Sequence, residues 1–450
     1  MEKTQDFTQG RIFVPLIKFA LPVLLALFLQ TMYGAVDLLI VGQFGTPADV
    51  SAVATGSQVM HTVTVVITGL SMGLTVLVAQ KIGAGEKREA GKIIGSGIFL
   101  FSIVALVVTV AMIMLSSLLA GVMRAPWEAF SQTVSYIVIC SAGTVFIIAY
   151  NLVGSIFRGI GDSKMPLVTV AIACVLNIGG DLLLVGIFEM GTAGAAIATV
   201  FAQAVSVFLS LIIIKKRGLP FAFRKKYILP NFSYIKEMLK LGTPIAFQDL
   251  LVSVSFLVIT AIVNNIGLIE SAGVGVAEKM CGFLMLVSSA YMQSMSAFVA
   301  QNIGAKKHER ARKALLCGII SSLVVGVVMG FFSFFYGDLL AGIFSNNSEV
   351  TLAASEYMKA YAIDCLFTSF LFCFIGYFNG CGNTLFVMIQ GLVGAFGIRV
   401  PVSWLVSQYS SNLFYIGLAT PASTVIQIIM CGIFLAITVR VQKKKNKDIA

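Results

Sequence analysis

Long apolar stretches, separated by short polar segments, follow one another from one end of the chain to the other. Each is close to the roughly 20 residues that an α-helix needs to cross the hydrocarbon core of a bilayer. We predict twelve membrane-spanning helices, at approximately 14–40, 52–80, 93–118, 134–157, 165–188, 193–214, 236–263, 272–300, 313–336, 355–378, 384–408 and 413–438. The predicted fold is therefore an all-α polytopic membrane protein.

The composition supports this fold and argues against an ordinary soluble protein. Of the 450 residues, 58% are hydrophobic and 11% are charged, and the mean hydropathy is +0.96. Surfaces that face water do not tolerate such an apolar content. The first apolar stretch lacks a short hydrophobic core followed by a small-residue cleavage site, so we expect no removable signal peptide.

Few residues are available for soluble catalytic chemistry. The eight cysteines are scattered through apolar surroundings without metal-like or redox spacing, and His61 and His308 are the only histidines. We interpret the cysteines as small hydrophobic residues and exclude a multi-histidine metal site. The glycine-rich segments follow no β-strand and lack the lysine spacing of a nucleotide-binding loop. We therefore predict that the protein is not an enzyme and that it has no cofactor other than a transported ion.

The net charge of +11 comes mainly from basic residues in alternate connections between the helices. The connection after the second helix, for example, contains Lys81, Lys87, Arg88 and Lys92. Because positive loops stay on the cytoplasmic side, both termini and the even-numbered connections are predicted to be cytoplasmic in a cell membrane. We interpret the basic runs as topology signals, and we expect the bilayer rather than nucleic acid to be the macromolecular environment.

The two halves of the chain repeat one another. LVAQKIGAGEKREAGK at 77–92 returns as FVAQNIGAKKHERARK at 298–313, with half of the positions identical. At the same separation, FRGIGDSKMP at 157–166 faces FNGCGNTLFV at 378–387. Pro22 of KFALP likewise faces Pro244 of KLGTP, one residue out of that register. We predict an N-terminal six-helix lobe at 1–214, a basic linker at 215–235, a C-terminal lobe at 236–440 and a basic tail at 441–450.

An even number of helices in each repeat has a consequence for function. Both repeats then enter the bilayer from the same side, and parallel repeats of this kind place a substrate cavity where the lobes meet. Transport would proceed by rocking one lobe against the other. Prolines near the start of the first and seventh helices kink a helix and free backbone carbonyls, so they serve either as hinges or as packing features.

Two isolated acids lie inside predicted spans of the N-terminal half, Asp37 in the first and Asp181 in the fifth. A charge at the centre of a spanning helix costs about 2.5–3.5 kcal/mol on insertion scales, so such an acid indicates function. Away from the span ends, charged residues also occur at Asp249, Glu278, Lys279, Asp364 and Arg399. The adjacent Glu278 and Lys279 could compensate each other's charge.

Helical spacing supplies polar neighbours for both acids. Gln30 and Tyr33 share a helix face with Asp37, Asn177 shares one with Asp181, and Thr199 shares one with Gln203. Together these side chains could form a polar pocket within one lobe. Burial disfavours the charged form of a carboxyl group, so the pair could hold a proton, or its oxygens could ligate Na⁺. The alternative is that the acids are structural hydrogen-bonding residues.

The motifs together resemble the multidrug and toxic compound extrusion (MATE) family throughout the chain. The resemblance lies in VAQ-x-IGA and its repeat, FRGIGDSKMP, GTAGAAIAT at 191–199, and an acid in the first span paired with N-x-x-x-D in the fifth. It implies a two-lobe, twelve-helix exporter that exchanges H⁺ or Na⁺ for cationic, often aromatic, drugs.

The resemblance also assigns roles to individual residues. The cation-coupling site of the N-terminal lobe in this family resembles Asp37, Asn177, Asp181 and Thr199 here, with Tyr33 and Asn151 lining the same pocket. If the coupling ion is Na⁺, Asp37 and Asp181 are its expected ligands. Some Na⁺-coupled members have an essential acid in the tenth span, where this chain has Thr368, and this departure favours the N-terminal site.

The remaining predicted cavity residues are of other chemical types. Met285 and Met292 offer adaptable side chains for varied aromatic cations, although core or lipid contact explains most methionines. Arg399 is predicted to hold lobe contacts or to tune the cavity. The alternative function is a flippase for a lipid-linked saccharide, but its phosphates call for several buried cations. We expect a monomer whose partners are small-molecule drugs or organic cations and the bilayer.

Overall fold

A computed structural model describes residues 6–219, 223–345 and 347–449, and within these ranges the chain forms helices and no strand. Positions 220–222 of the predicted linker and the last residue of the predicted tail lie outside the described residues. The helices, in chain order, are α1 Phe13–Phe44, α2 Pro47–Gly83, α3 Lys87–Val122, α4 Trp127–Ala142, α5 Thr144–Ile160, α6 Lys164–Asp181, α7 Gly191–Arg217, α8 Phe232–Asn264, α9 Leu268–Gly304, α10 His308–Phe335, α11 Gly337–Ala341, α12 Ser348–Gly380, α13 Thr384–Leu392, α14 Val400–Tyr409, α15 Leu413–Gly417 and α16 Ala419–Ile449.

Two segments wind more loosely than an α-helix. Leu182–Ile187 continues α6 as a π-helix, and Val393–Arg399 joins α13 to α14 in the same way. A short 3₁₀ helix, Lys225–Ile228, precedes α8. Wider turns of this kind inside α-helices occur frequently at functional sites. Here they border Asp181 in the fifth span and Arg399 in the eleventh.

The predicted fold class is confirmed. Among the described residues, eleven helical segments are long and apolar enough to span a membrane, and a twelfth is obtained when the bent pair α4 and α5 counts as one span. The span predicted at 134–157 is bent, because α4 and α5 meet at Gly143 at an angle of 49°. A Cβ atom at Gly143 would overlap the side chain of Val200, so α7 passes close to the break.

The repeated Phe-x-Gly-x-Gly motif has a structural explanation. Gly161 ends α5 with φ of 91°, and Gly382 follows α12 with φ of 84°, a conformation that side chains with a Cβ rarely adopt. The preceding glycine of each copy packs closely on another helix. A Cβ at Gly159 would lie 3.0 Å from the Thr75 carbonyl oxygen, and one at Gly380 would lie 2.7 Å from that of Ser296.

The chain divides into two compact units. The first contains residues up to 246 together with 300–310, and the second contains residues 247–299 and those from 311 onward. In the first unit, α1, α6 and α7 pack together, and α2 contacts α4 and α5. In the second, α12 packs on α15 and α16. The lobe boundaries drawn from the repeat stay a prediction.

Candidate functional site

The first unit buries the two acids that the sequence singled out. Asp37 lies on α1 with 3% of its surface exposed, and Asp181 ends α6 and is fully buried. The two carboxyl groups are within hydrogen-bonding reach of each other. Helices α6 and α7 pack closely beside the acids. Gly180 permits this approach, because a Cβ atom at Gly180 would lie only 3.0 Å from the Cβ of Ala198.

A short chain of hydrogen bonds connects the three helices at this point. The Thr199 hydroxyl on α7 donates to Asp37 Oδ2 at 3.0 Å. Asn177 Nδ2 on α6 donates to the Thr199 Oγ1 at 3.4 Å. The four residues predicted as the cation-coupling site, Asp37, Asn177, Asp181 and Thr199, therefore lie together.

The pair of acids is short of hydrogen-bond donors. Four buried oxygens, Asp37 Oδ1, both of Asp181 and Asn177 Oδ1, have no donor in the described part of the chain. Among the described residues, no lysine or arginine interacts with either carboxyl. Buried polar atoms are nearly always paired, and a buried carboxylate without a partner is costly. The cluster is therefore suited to a positive charge, either a proton between the carboxyls or a small cation among the oxygens.

Tyrosines surround this cluster. Tyr33, half-buried on α1, is close enough to Asp37 and to Tyr150 of α5 to interact with them electrostatically. Tyr136 of α4 is buried and interacts with both acids, and its hydroxyl is hydrogen-bonded to Cys140. Sequence reasoning missed Tyr136. The one available signal was that Tyr136 and Cys140 share a helix face, four residues apart, within the fourth predicted span.

The other predicted residues of the first unit are not among the hydrogen-bonding partners of the acids in the described part of the chain. Asn151 is buried but accepts a hydrogen bond from Thr68 at 3.0 Å and donates to the Ile147 carbonyl at 2.9 Å. Gln203 lies one turn beyond Thr199, and its Oε1 is buried without a donor among the described residues. Gln30 is half-buried on α1, about two turns before Asp37.

In the second unit, a buried arginine lies close to a buried acid. Arg399 is 6% exposed, its Nη1 donates to Ser255 Oγ at 3.1 Å, and its guanidinium lies 4.4 Å from the centre of the Phe256 ring. Asp364, also buried, interacts with Arg399 and with the hydroxyl of Thr424. A positive charge thus accompanies the acid in this unit, whereas the described residues place none beside the pair in the first.

The remaining candidates of the second unit take separate positions. Met285 packs against the apolar cluster around Tyr357, and Met292 contacts Gly376 through its backbone. Glu278 accepts a hydrogen bond from Thr260 at 3.0 Å. Lys279 lies on the exposed side of α9, and the mutual compensation of these two neighbours stays a prediction. Adjacent helical residues point about 100° apart. In the described part of the chain, no cluster of three or more His, Cys, Asp or Glu side chains could hold a metal ion.

Comparison with known proteins supplies an independent line of evidence. The chain is 26% identical to "Probable multidrug resistance protein YpnP" of Bacillus subtilis (strain 168) over 408 residues, covering 90% of this chain and 91% of that protein. It is 27% identical to "Probable multidrug resistance protein NorM" of Thermotoga maritima over 399 residues, covering 88% and 85% respectively.

The fold is similar to that of a solved structure described as the outward-facing conformation of a multidrug resistance MATE family transporter. The TM-score is 0.91 at 19% identity, with 98% of this chain and 100% of the other covered. The sequence model of the MatE family matches twice, at residues 22–183 and 244–405, once in each half of the duplication. This multi-pass membrane protein belongs to the MatE family, the multidrug and toxic compound extrusion family that its motifs resemble.

Proposed function

We propose that this protein is a secondary active efflux antiporter that exports organic, mostly cationic and aromatic compounds in exchange for H⁺ or Na⁺. Family membership and the multidrug resistance described for its relatives support export of small molecules. We propose further that it works as a monomer in the cell membrane with both termini in the cytoplasm. The coupling site is Asp37, Asn177, Asp181 and Thr199.

The observation that carries the coupling site is the set of four buried oxygens without a donor or a countercharge. Two carboxylates within hydrogen-bonding reach repel each other unless one is protonated or a cation lies between them. One proton turns a carboxyl oxygen of the pair into a donor to the other carboxyl. Alternatively, carboxylate, amide and hydroxyl oxygens together form the hard ligand set that an alkali cation prefers. In either case binding removes an uncompensated buried charge.

Cation binding in this site can act on helix geometry. Its ligands come from α1, α6 and α7, so an added positive charge draws these three helices toward a common point. Pro22 interrupts the hydrogen-bond ladder of α1 between its start and Asp37. We propose that cation entry changes the bend of α1 and thereby favours the conformation that releases drug.

Substrate recognition is assigned to side chains that suit aromatic cations. Tyr33 and Gln203 offer aromatic and polar surface on the helices that carry Asp37 and Thr199, and we assign Asn151 of α5 to the same recognition surface. Met285 and Met292 offer polarisable surface in the second unit, where Arg399 tunes the local charge. Because cation binding at Asp37 and Asp181 is proposed to favour drug release, the bound cation and the bound drug weaken each other's affinity.

The test is transport of a fluorescent organic cation by the purified protein in proteoliposomes with an imposed pH or Na⁺ gradient. The parent is expected to concentrate the dye in response to one of the two gradients. Asp37→Asn and Asp181→Asn keep the size of the side chain and remove its charge, so both are expected to lose gradient-driven transport. Full transport by both variants would overturn the coupling site.

Two matched variants complete the experiment. Glu128→Gln removes an exposed acid and should transport like the parent. Asp364→Asn removes a buried acid that has Arg399 beside it, so loss of coupling in this variant alone would move the site to the second unit. The flippase alternative is not favoured by the relatives, and it would gain support if no dye moved while a lipid-linked saccharide was flipped.

A further inference from the structure

The two copies of VAQ-x-IGA, one ending α2 and the other ending α9, meet each other within the first unit. Their contact is reciprocal. A Cβ at Gly83 would overlap the backbone carbonyl of Gln301, and a Cβ at Gly304 would overlap that of Gln80. The glycine of each copy therefore packs directly against the backbone of the other copy. The two helix ends form a symmetric contact.

A segment before α1 covers this contact and is fixed to it by one arginine. The guanidinium of Arg310, at the start of α10, donates to four successive or nearly successive carbonyl oxygens. They belong to Phe7 at 2.9 Å, Gln9 at 2.8 Å, Gly10 at 2.7 Å and Arg11 at 3.2 Å. Gly10 has φ of +71°, the left-handed conformation that glycine adopts readily and that curls the segment around the guanidinium.

The paired motifs themselves provide the rest of the attachment. Asn302 Nδ2 donates to the Phe7 carbonyl at 3.2 Å, and Lys307 Nζ donates to that of Thr8 at 2.9 Å. Gln301 Oε1 accepts from the Phe7 amide at 3.4 Å while its Nε2 donates to the Gly159 carbonyl at 3.1 Å. One side chain thus connects the segment, the second motif and the end of α5.

The aromatic ring of Phe7 anchors the segment. It is fully buried and meets the Phe19 ring of α1 edge to face, with centroids 5.0 Å apart. Asp6 stays charged beside this anchor. Partial burial works to raise the pKa of its carboxyl, but hydrogen bonds from Thr8 and the charges of Lys307 and Arg310 outweigh that effect and lower the pKa below its ordinary value.

The first copy of the motif holds the other half of the chain in a corresponding way. Glu89 occupies the place in the repeat that Arg310 occupies in the second copy. It accepts a hydrogen bond from Tyr234, near the start of α8, which is the counterpart of α1. Each motif therefore holds the beginning of the first helix of the opposite repeat, with opposite charges at equivalent positions.

We propose that residues 6–11 form a strap that keeps the paired VAQ-x-IGA motifs closed, and that Arg310 sets how readily this end of the first unit opens. The strap continues directly into α1, which carries Pro22 and Asp37. Movement of the start of α1 therefore has to break the strap or carry the end of α9 with it. The strap is a conformational device that goes beyond cation coupling, and only its consequence for transport rests on the proposed function.

Hydrogen–deuterium exchange of the purified full-length protein tests the strap without any transport. Arg310→Gln removes the forked donor, and Arg88→Gln removes an equally charged but exposed side chain from the other copy of the motif. We expect backbone amides of residues 298–307 to exchange about tenfold faster in Arg310→Gln, because hydrogen bonds to a charged donor hold the closed state. Arg88→Gln should exchange like the parent. Equal rates in the two variants would overturn the proposal.

Further variants keep the outcome interpretable. Arg310→Lys retains the charge but cannot contact four carbonyls, so an intermediate rate is expected, and full protection would exclude the forked strap. Phe7→Ala leaves Arg310 in place and should also speed exchange at 298–307. If Arg310→Gln loosens the whole protein, amide exchange in α4 will rise as well. The result for Phe7→Ala then decides between the two explanations, and unchanged protection of residues 298–307 in that variant would refute the strap. Dye efflux is measured separately in the same variants. If the transport proposal is wrong, the parent will also show no efflux, while the exchange rates still test the strap.

Discussion

Replacing Asp181 by asparagine is expected to stabilise the folded protein while removing its coupling. The parent buries two carboxyl groups side by side, and neither oxygen of Asp181 has a donor in the described part of the chain. Asparagine is almost the same size, carries no charge and offers an amide that can donate to Asp37. A hydrogen bond to a charged acceptor contributes about 1.5–3 kcal/mol, so we expect a gain of about 1–3 kcal/mol.

The matched substitution in the second unit should have the opposite sign. Asp364→Asn leaves the buried guanidinium of Arg399 without the negative charge beside it. Breaking a direct buried ion pair costs about 3–5 kcal/mol, and here the loss should be smaller, about 1–3 kcal/mol, because no direct ion pair joins the two. Both variants exchange one carboxylate for an amide, so the difference between them reports only the surroundings.

The measurement is the apparent melting temperature in detergent at pH 8 and at a fixed scan rate. A change of about 1–3 kcal/mol corresponds to roughly 1–3 °C for a chain of this size, because the entropy of unfolding grows with chain length. Added Na⁺ distinguishes the two coupling ions, because a ligand at 100 times its Kd stabilises by about 2.7 kcal/mol. If Na⁺ is the ion, it should raise the melting temperature of the parent but not that of Asp181→Asn. Destabilisation of Asp181→Asn, to the same extent as Asp364→Asn, would refute the uncompensated pair.

Three further substitutions test individual contacts. Gly56→Ala should lower stability by about 1–3 kcal/mol in thermal unfolding, because the new methyl group overlaps the ring of Tyr136; an unchanged melting temperature would contradict this packing. Asp49→Ala should lower the melting temperature by roughly 1–3 °C, because the carboxylate accepts bonds from the amide and hydroxyl of Thr192 and so joins the starts of α2 and α7; a parent-like value would show that this bridge contributes nothing. Arg399→Ala should impair both dye transport and stability, and parent-like behaviour in both assays would remove Arg399 from the cavity.

Local patterns were sufficient for the membrane spans and for the acids. Hydrophobicity over about 20 residues is a property of the chain itself, since any helix in lipid must satisfy its own backbone. An isolated acid such as Asp37 can also be recognised from the sequence, because charged residues are rare within membrane-spanning helices. The bend of the fourth span at Gly143 was not predicted, because the close contact of Gly143 with Val200 involves a residue of another helix.

The duplication predicted that the two halves share the same arrangement of helices, but it did not predict the side-chain contacts within each half. The spacing of Asn177 and Asp181 indicated one helix face, while the approach of Asp37 and Thr199 from two other helices depends on how α1, α6 and α7 pack. Tyr136 escaped notice because a tyrosine in an apolar span is ordinary until a neighbouring helix brings acids beside it.

The spans, the repeat and the acids in lipid can all be recognised from the order of residues along the chain. Which buried charges are compensated depends on how the helices pack. Asp364 and Arg399 belong to different helices and become neighbours by packing, whereas Asp37 and Asp181 are brought together without a basic side chain beside them among the described residues. The same step made the two VAQ-x-IGA copies into one contact, since glycine permits a backbone approach that no one-dimensional pattern records.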